Sequence, residues 1–171
     1  YKQRYRMNQG RFWASSYEDK RPELTNAQRK MLSHYDNATL YNDSIVAEIV
    51  KRFQKEDAII IYVPDHGEEC YEENRGFICR NHSANIDWKL AHYEFEIPFW
   101  IYCSPKYIKA HRKIYKQIRA AKDKRFMTDA LPHLLLYLAG IETPTYKEEY
   151  NILSPKYNEM RPRILKNSVD Y

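Results

Sequence analysis

The chain has 171 residues, with 28 Lys plus Arg against 23 Asp plus Glu and a net charge of +5. With 43% hydrophobic and 15% aromatic residues, it is too apolar for a disordered segment and has enough apolar material for the core of one domain. Its longest apolar runs, 58–63 and 134–139, fall far short of the ~20 residues of a membrane helix, so these residues do not span a bilayer.

The opening Tyr1-Lys2-Gln3-Arg4-Tyr5 begins in mid-pattern, and we expect a processed or truncated chain. From Ala27, the apolar residues Met31, Tyr35, Ala38, Ile45, Ile49 and Phe53 recur at helical steps. Thr25-Asn26-Ala27-Gln28 has the form of a capping box, so the spacing predicts a helix over 26–55. The β-branched run 58–63 reads as a strand covered on both faces, of the kind found in parallel sheets. It ends at Pro64, which lacks a ladder donor, and Asp65-His66-Gly67 follows.

Residues 68–92 are polar and irregular, with Glu68, Glu69, Glu72, Glu73, Arg75, Arg80, His82 and His92, and read as a loop lining a site. Ile97 to Cys103 is a second buried strand. Ser104-Pro105 then supplies an N-cap and a first-turn proline for a helix over 105–122. Its stripe of Ile108, Tyr115 and Ile118 is flanked by Lys109, Arg112, Lys113, Lys116 and Arg119. Such a stripe could bind anionic lipid or nucleic acid, but the pattern better suits an amphipathic helix with a solvated cationic face, and no nucleic-acid module accompanies it. Thr128 opens a last helix that closes at Gly140. The Pro- and Lys-rich tail, 142–171, reads as a surface wrap. Cys70, Cys79 and Cys103 show no CxxC spacing, so they signal neither a zinc ribbon nor a disulfide framework, although one Cys70–Cys79 bridge is open in an oxidising compartment.

Alternation of helix and buried strand argues an α/β/α sandwich with a mostly parallel sheet. In such sheets ligands sit beyond the carboxyl ends of the strands, and Asp65 and His66 lie at such an end. A carboxylate oxygen and an imidazole nitrogen are a donor pair that Zn²⁺ takes, and Gly67 lets the backbone turn. A polar strand-end turn gives the same residues without a metal.

Four segments, taken in order, resemble one family: 34–43 (His-Tyr-Asp-Asn-Ala-Thr-Leu-Tyr-Asn-Asp), 58–68 (Ala-Ile-Ile-Ile-Tyr-Val-Pro-Asp-His-Gly-Glu), 97–102 (Ile-Pro-Phe-Trp-Ile-Tyr) and 135–143 (Leu-Leu-Tyr-Leu-Ala-Gly-Ile-Glu-Thr). The family is the bacterial phosphoethanolamine transferases of the alkaline phosphatase and sulfatase superfamily. The resemblance covers the whole chain and matches the C-terminal half of their catalytic domain. It implies an inner-membrane protein with N-terminal membrane helices and a periplasmic zinc domain. Asp65 and His66 then match two zinc ligands, while a Glu ligand and the nucleophilic Thr belong to the half upstream. The implied reaction moves phosphoethanolamine from phosphatidylethanolamine through a phospho-threonine intermediate to a lipid A phosphate or another envelope glycan, with no nucleic acid involved.

The resemblance also implies a phosphate-contacting histidine, for which His82 is the nearest candidate and His92 the rival. Glu68 is a candidate hydrogen-bond partner that orients His66, as zinc-bound histidines require; a solvated carboxylate fits equally. The sequence departs from the family where Pro64 replaces its usual Ser and where Glu69-Cys70-Tyr71-Glu72 replaces Ser-Leu-Gly-Glu. Cys103-Ser104-Pro105-Lys106-Tyr107 is similar to the sulfatase Cys-x-Pro-x-Arg nucleophile, but Tyr107 stands where Arg is needed, so Cys103 is not assigned that role. Two alternatives remain open: a sulfatase- or phosphatase-like hydrolase, and a non-enzymatic binding or structural domain.

Overall fold

A computed structural model describes residues 1–2, 4–6, 9–76, 88–165 and 169–170. The chain divides into two compact units, Tyr1–Gln54 and Lys55–Tyr171, where its length suggested one domain.

In the first unit α1 runs Asn26–Phe53, close to the predicted 26–55. Thr25 caps it as the sequence implied: its hydroxyl accepts from the Gln28 backbone N–H at 3.3 Å, and the Gln28 side-chain Oε1 accepts from the Thr25 N–H at 2.8 Å. The expected apolar stripe is not what this unit buries, since Met31, Ile45, Ile49 and Phe53 are 43–45% exposed. Leu32, Ser33 and Asn37 are buried instead. Asn37 works as a clasp: its Oδ1 accepts from the N–H groups of Arg11 (2.6 Å) and Phe12 (3.0 Å), and its Nδ2 donates to the Phe12 carbonyl (2.8 Å). Tyr17 donates to Asp36, and the Tyr5 hydroxyl bonds His34 Nδ1 at 2.8 Å, so the segment before α1 is tied along it.

The second unit keeps the α/β class but corrects the strand direction. β1 (Ile59–Tyr62) pairs antiparallel with β2 (Trp100–Cys103), with Ile61 opposite Ile101 and Tyr62 opposite Trp100. Among the described residues the ladders are antiparallel, including the short pair β3 (Ile164–Leu165) and β4 (Val169–Asp170). Both β1 and β2 are half-buried rather than covered on two faces. Ile61 and Ile101 face a cluster of Ala121, Leu134, Ile152 and Leu153, and Phe99 stacks on Phe126 with ring centres 4.6 Å apart. Across the ladder, Tyr62 stacks on its partner Trp100 with ring centres 5.1 Å apart.

Ser104, fully buried, joins the strands to the helix that follows. Its hydroxyl accepts from the N–H of Tyr107 as an N-cap and from the N–H of Ala58, and donates to the Glu56 carbonyl. The single helix expected over 105–122 is two, α3 (Pro105–Ala110) and α4 (Arg112–Ala120), because His111 leaves helical geometry at φ −116°, ψ 48°. The helix opened by Thr128 is a 3₁₀ turn, Thr128–Ala130, leading into α5 (Leu131–Ala139). Gly140 ends α5 at φ 65°, and the Ile141 N–H returns to the Leu136 carbonyl at 2.9 Å.

Two further expectations change. The polar stretch 68–92 runs into a helix, α2 (Trp88–Phe95). The tail is not only a wrap, since Asn151, Ile152, Leu153 and Ser154 are buried. It is held by Gln117 Nε2 on the Leu153 carbonyl (3.3 Å), Lys124 Nζ on the Ile152 carbonyl (3.2 Å), and a two-pronged Arg161–Asp129 pair at 2.5 and 2.8 Å.

Candidate functional site

β1 delivers Asp65 and His66 into an irregular turn, with the Asp65 side chain 84% exposed and that of His66 24% exposed. Gly67 is required here by a close approach. Its N–H donates to the Glu94 carbonyl at 2.7 Å, and a Cβ at this position would collide with the Tyr93 carbonyl oxygen. The last turn of α2 therefore lies directly against the Asp-His turn.

The His66 ring is oriented by its Nδ1, which lies 2.6 Å from the Gly67 carbonyl oxygen. A carbonyl oxygen only accepts, so Nδ1 carries the proton and the Nε2 lone pair of the neutral ring is left available. Nε2 stands 3.5 Å from Asp65 Oδ2. Two acceptors facing each other at that distance call for a proton or a cation between them. Two ligands bound at about 2.1 Å to a tetrahedral ion stand about 3.4 Å apart. The pair therefore fits half of a zinc site. Among the described residues no group of three or more His, Cys, Asp or Glu side chains is placed to hold a metal.

Beyond Gly67 the chain turns inward. Glu69 is fully buried and Glu94 is 2% exposed, a pair of buried acids that the polar character of 68–92 did not single out. Arg75 Nε lies 3.0 Å from Glu69 Oε1. Burial pushes the Glu69 carboxyl up, Arg75 opposes this, and the neighbouring Glu94 and Glu72 add to it. The loop bends through two non-glycine residues at positive φ, Tyr71 (67°) and Glu73 (52°), and the Cys70 N–H donates to Glu72.

The bond found on His66 Nδ1 runs to a backbone carbonyl, the orienting part considered for Glu68, which is half-buried. His92 lies on α2, its ring centre 3.8 Å from that of Tyr93, one residue from the contact with Gly67. His82 and Cys79 lie outside the described residues, and with them the expected phosphate contact and the Cys70–Cys79 bridge.

The family model for sulfatases matches residues 8–141. The chain belongs to the sulfatase family. Within it, the chain is 30% identical over 161 residues to the phosphoethanolamine transferase EptC of Escherichia coli O18:K1:H7 (strain RS218 / NMEC), covering 93% of this chain and 26% of that protein. It is 27% identical over 99 residues to the Kdo(2)-lipid A phosphoethanolamine 7''-transferase of Escherichia coli strain K12, covering 56% of this chain and 16% of that protein. The zinc complex of the C-terminal periplasmic domain of EcEptC from Escherichia coli superposes with a TM-score of 0.71 at 27% identity, over 92% of this chain and 42% of that one. This sulfatase-family chain thus spans about a quarter or less of these transferases and under half of the crystallised domain. No helix among its described residues is long and apolar enough to cross a membrane.

Proposed function

We propose that this chain is the C-terminal part of the periplasmic catalytic domain of a zinc-dependent phosphoethanolamine transferase anchored in the bacterial inner membrane. One observation carries the reading: the Asp65 carboxylate and the free Nε2 of His66 stand 3.5 Å apart at the end of β1, the spacing of two ligands on one zinc ion. The named activity of the EptC relative, matched along 93% of this chain, supports the reaction class.

Zinc, when bound, lowers the pKa of a coordinated hydroxyl and offsets phosphoryl charge. The chain's own residues hold the ligands ready. The Gly67 carbonyl keeps the proton on Nδ1, and the absence of a Cβ at Gly67 lets α2 close against the turn. The other two ligands, a Glu and the nucleophilic Thr, would lie upstream. That Thr would attack the phosphorus of phosphatidylethanolamine with diacylglycerol leaving, and a lipid A phosphate or another envelope glycan would then take the phosphoethanolamine in a second displacement that frees the Thr. His82, or His92 on α2, would contact the phosphoryl group, and Glu68 would support His66.

The test uses the parent protein, with zinc content and transfer from a labelled phosphatidylethanolamine as separate readouts. Asp65→Asn and His66→Gln should each lower both, and the 171-residue chain alone should be inactive. Unchanged zinc content and transfer in both variants would refute the metal assignment. Release of free phosphoethanolamine without an acceptor product would point to a hydrolase of the same family.

A further inference from the structure

We propose that the exposed face of α3 and α4, together with the cavity beside the end of α4, is a docking surface for an anionic phospholipid bilayer. The proposal stands apart from the transferase reading and needs no activity. Residues 104–122 contain seven Lys and Arg and no Asp or Glu. Lys106, Lys109, Arg112, Lys113, Lys116, Arg119 and Lys122 are all exposed. On α4, Arg112, Lys116 and Arg119 follow one another at three- and four-residue steps and so share one side of the helix. Among the described residues, Lys109, Arg112, Lys113 and Lys116 are not in an ion pair, and Arg119 contacts only the Tyr115 hydroxyl at 3.4 Å. Like charges at these spacings destabilise a helix by about 0.2–0.5 kcal/mol per pair. An anionic partner relieves that repulsion.

A second observation selects the partner. A cavity of about 530 Å³ opens next to this face, walled by Phe99, Trp100, Ile118 and Phe126 and sharing Arg119 and Lys122 with it. Its size is that of a small-ligand site, and its walls are mostly apolar. A nucleic-acid backbone gains nothing from such a cavity. A bilayer supplies both halves of the match, phosphate headgroups for the cations and an acyl chain for the cavity.

The test is co-sedimentation of the full chain with phosphatidylcholine vesicles made with or without phosphatidylglycerol. Binding should require the anionic lipid and weaken as salt rises. Replacing Lys113→Gln, Lys116→Gln and Arg119→Gln together should weaken it by about a hundredfold, at about fivefold per charge, while Lys113→Arg with Lys116→Arg should retain it. With Trp13→Phe and Trp88→Phe, Trp100 is the remaining tryptophan, and brominated acyl chains should quench it. Absent binding, equal binding to neutral vesicles, salt-independent binding, or an unquenched Trp100 would overturn the proposal. So would a duplex oligonucleotide that displaces the chain from anionic vesicles.

Discussion

Replacing Gly67 with alanine tests whether α2 is locked against the Asp-His turn. The added methyl meets the Tyr93 carbonyl oxygen, which belongs to the backbone of a helix and has no rotamer to escape into. Relief requires moving the turn or the end of α2, and either movement stretches the 2.7 Å bond from the Gly67 N–H to the Glu94 carbonyl. Overpacking costs about 1–3 kcal/mol and a lost hydrogen bond about 1 kcal/mol, so the sum is about 2–4 kcal/mol. For a unit of this size that lowers Tm by roughly 10 °C. In a Trp13→Phe background the remaining tryptophans, Trp88 and Trp100, both lie in the second unit, so their fluorescence on heating reports that unit alone. Gly76→Ala is the matched control, since a Cβ there meets nothing within 4 Å. A Tm for Gly67→Ala equal to that of Gly76→Ala would show that the close approach does not hold the turn. In the parent protein the same substitution should weaken zinc binding, because the Gly67 carbonyl that fixes His66 moves with the turn.

Further outcomes follow from buried polar groups. Asn37→Ala strands the N–H groups of Arg11 and Phe12 and the carbonyl of Phe12; we expect about 2–4 kcal/mol of destabilisation in the first unit and faster amide exchange over 9–17, and wild-type exchange there would refute the clasp. Arg75→Ala leaves the Glu69 carboxylate buried without its counter-charge and should cost about 3 kcal/mol at neutral pH, readable by urea titration, whereas Glu69→Gln should cost less. Burial raises the Glu69 carboxyl pKa above its unfolded value, so its contribution to stability is fully present below the unfolded pKa and is lost as pH rises through the folded one. Glu69→Gln should flatten that part of the stability profile; an unchanged profile would exclude Glu69 as its source.

Local chemistry was legible wherever a residue type has one structural use. Thr25 with Gln28 marked the start of α1, Ser104-Pro105 the start of α3, and Gly140 the end of α5, because caps are satisfied by neighbours a few positions away. Asp65-His66 after a β-branched run could be placed at a strand end for the same reason. Other features depended on distant parts of the chain. The continuous apolar run of β1 reports burial and carries no record of its neighbour's direction, so the antiparallel partner at Trp100–Cys103 emerged only from the fold. The break at His111 is hidden because the cation and isoleucine spacing continues through it. Glu69 reads as one more loop acid until folding buries it beside Arg75.

By itself, then, the amino-acid sequence determined the start of α1, the start of α3, the end of α5 and the cationic stretch, since each rests on interactions within about one or two turns of chain. Tertiary structure decided strand direction, the burial of Glu69, the clasp of Asn37, and the placing of α2 against Gly67. Those depend on contacts between residues about 25 or more positions apart in most cases, whose free energy appears only when the loops between them close.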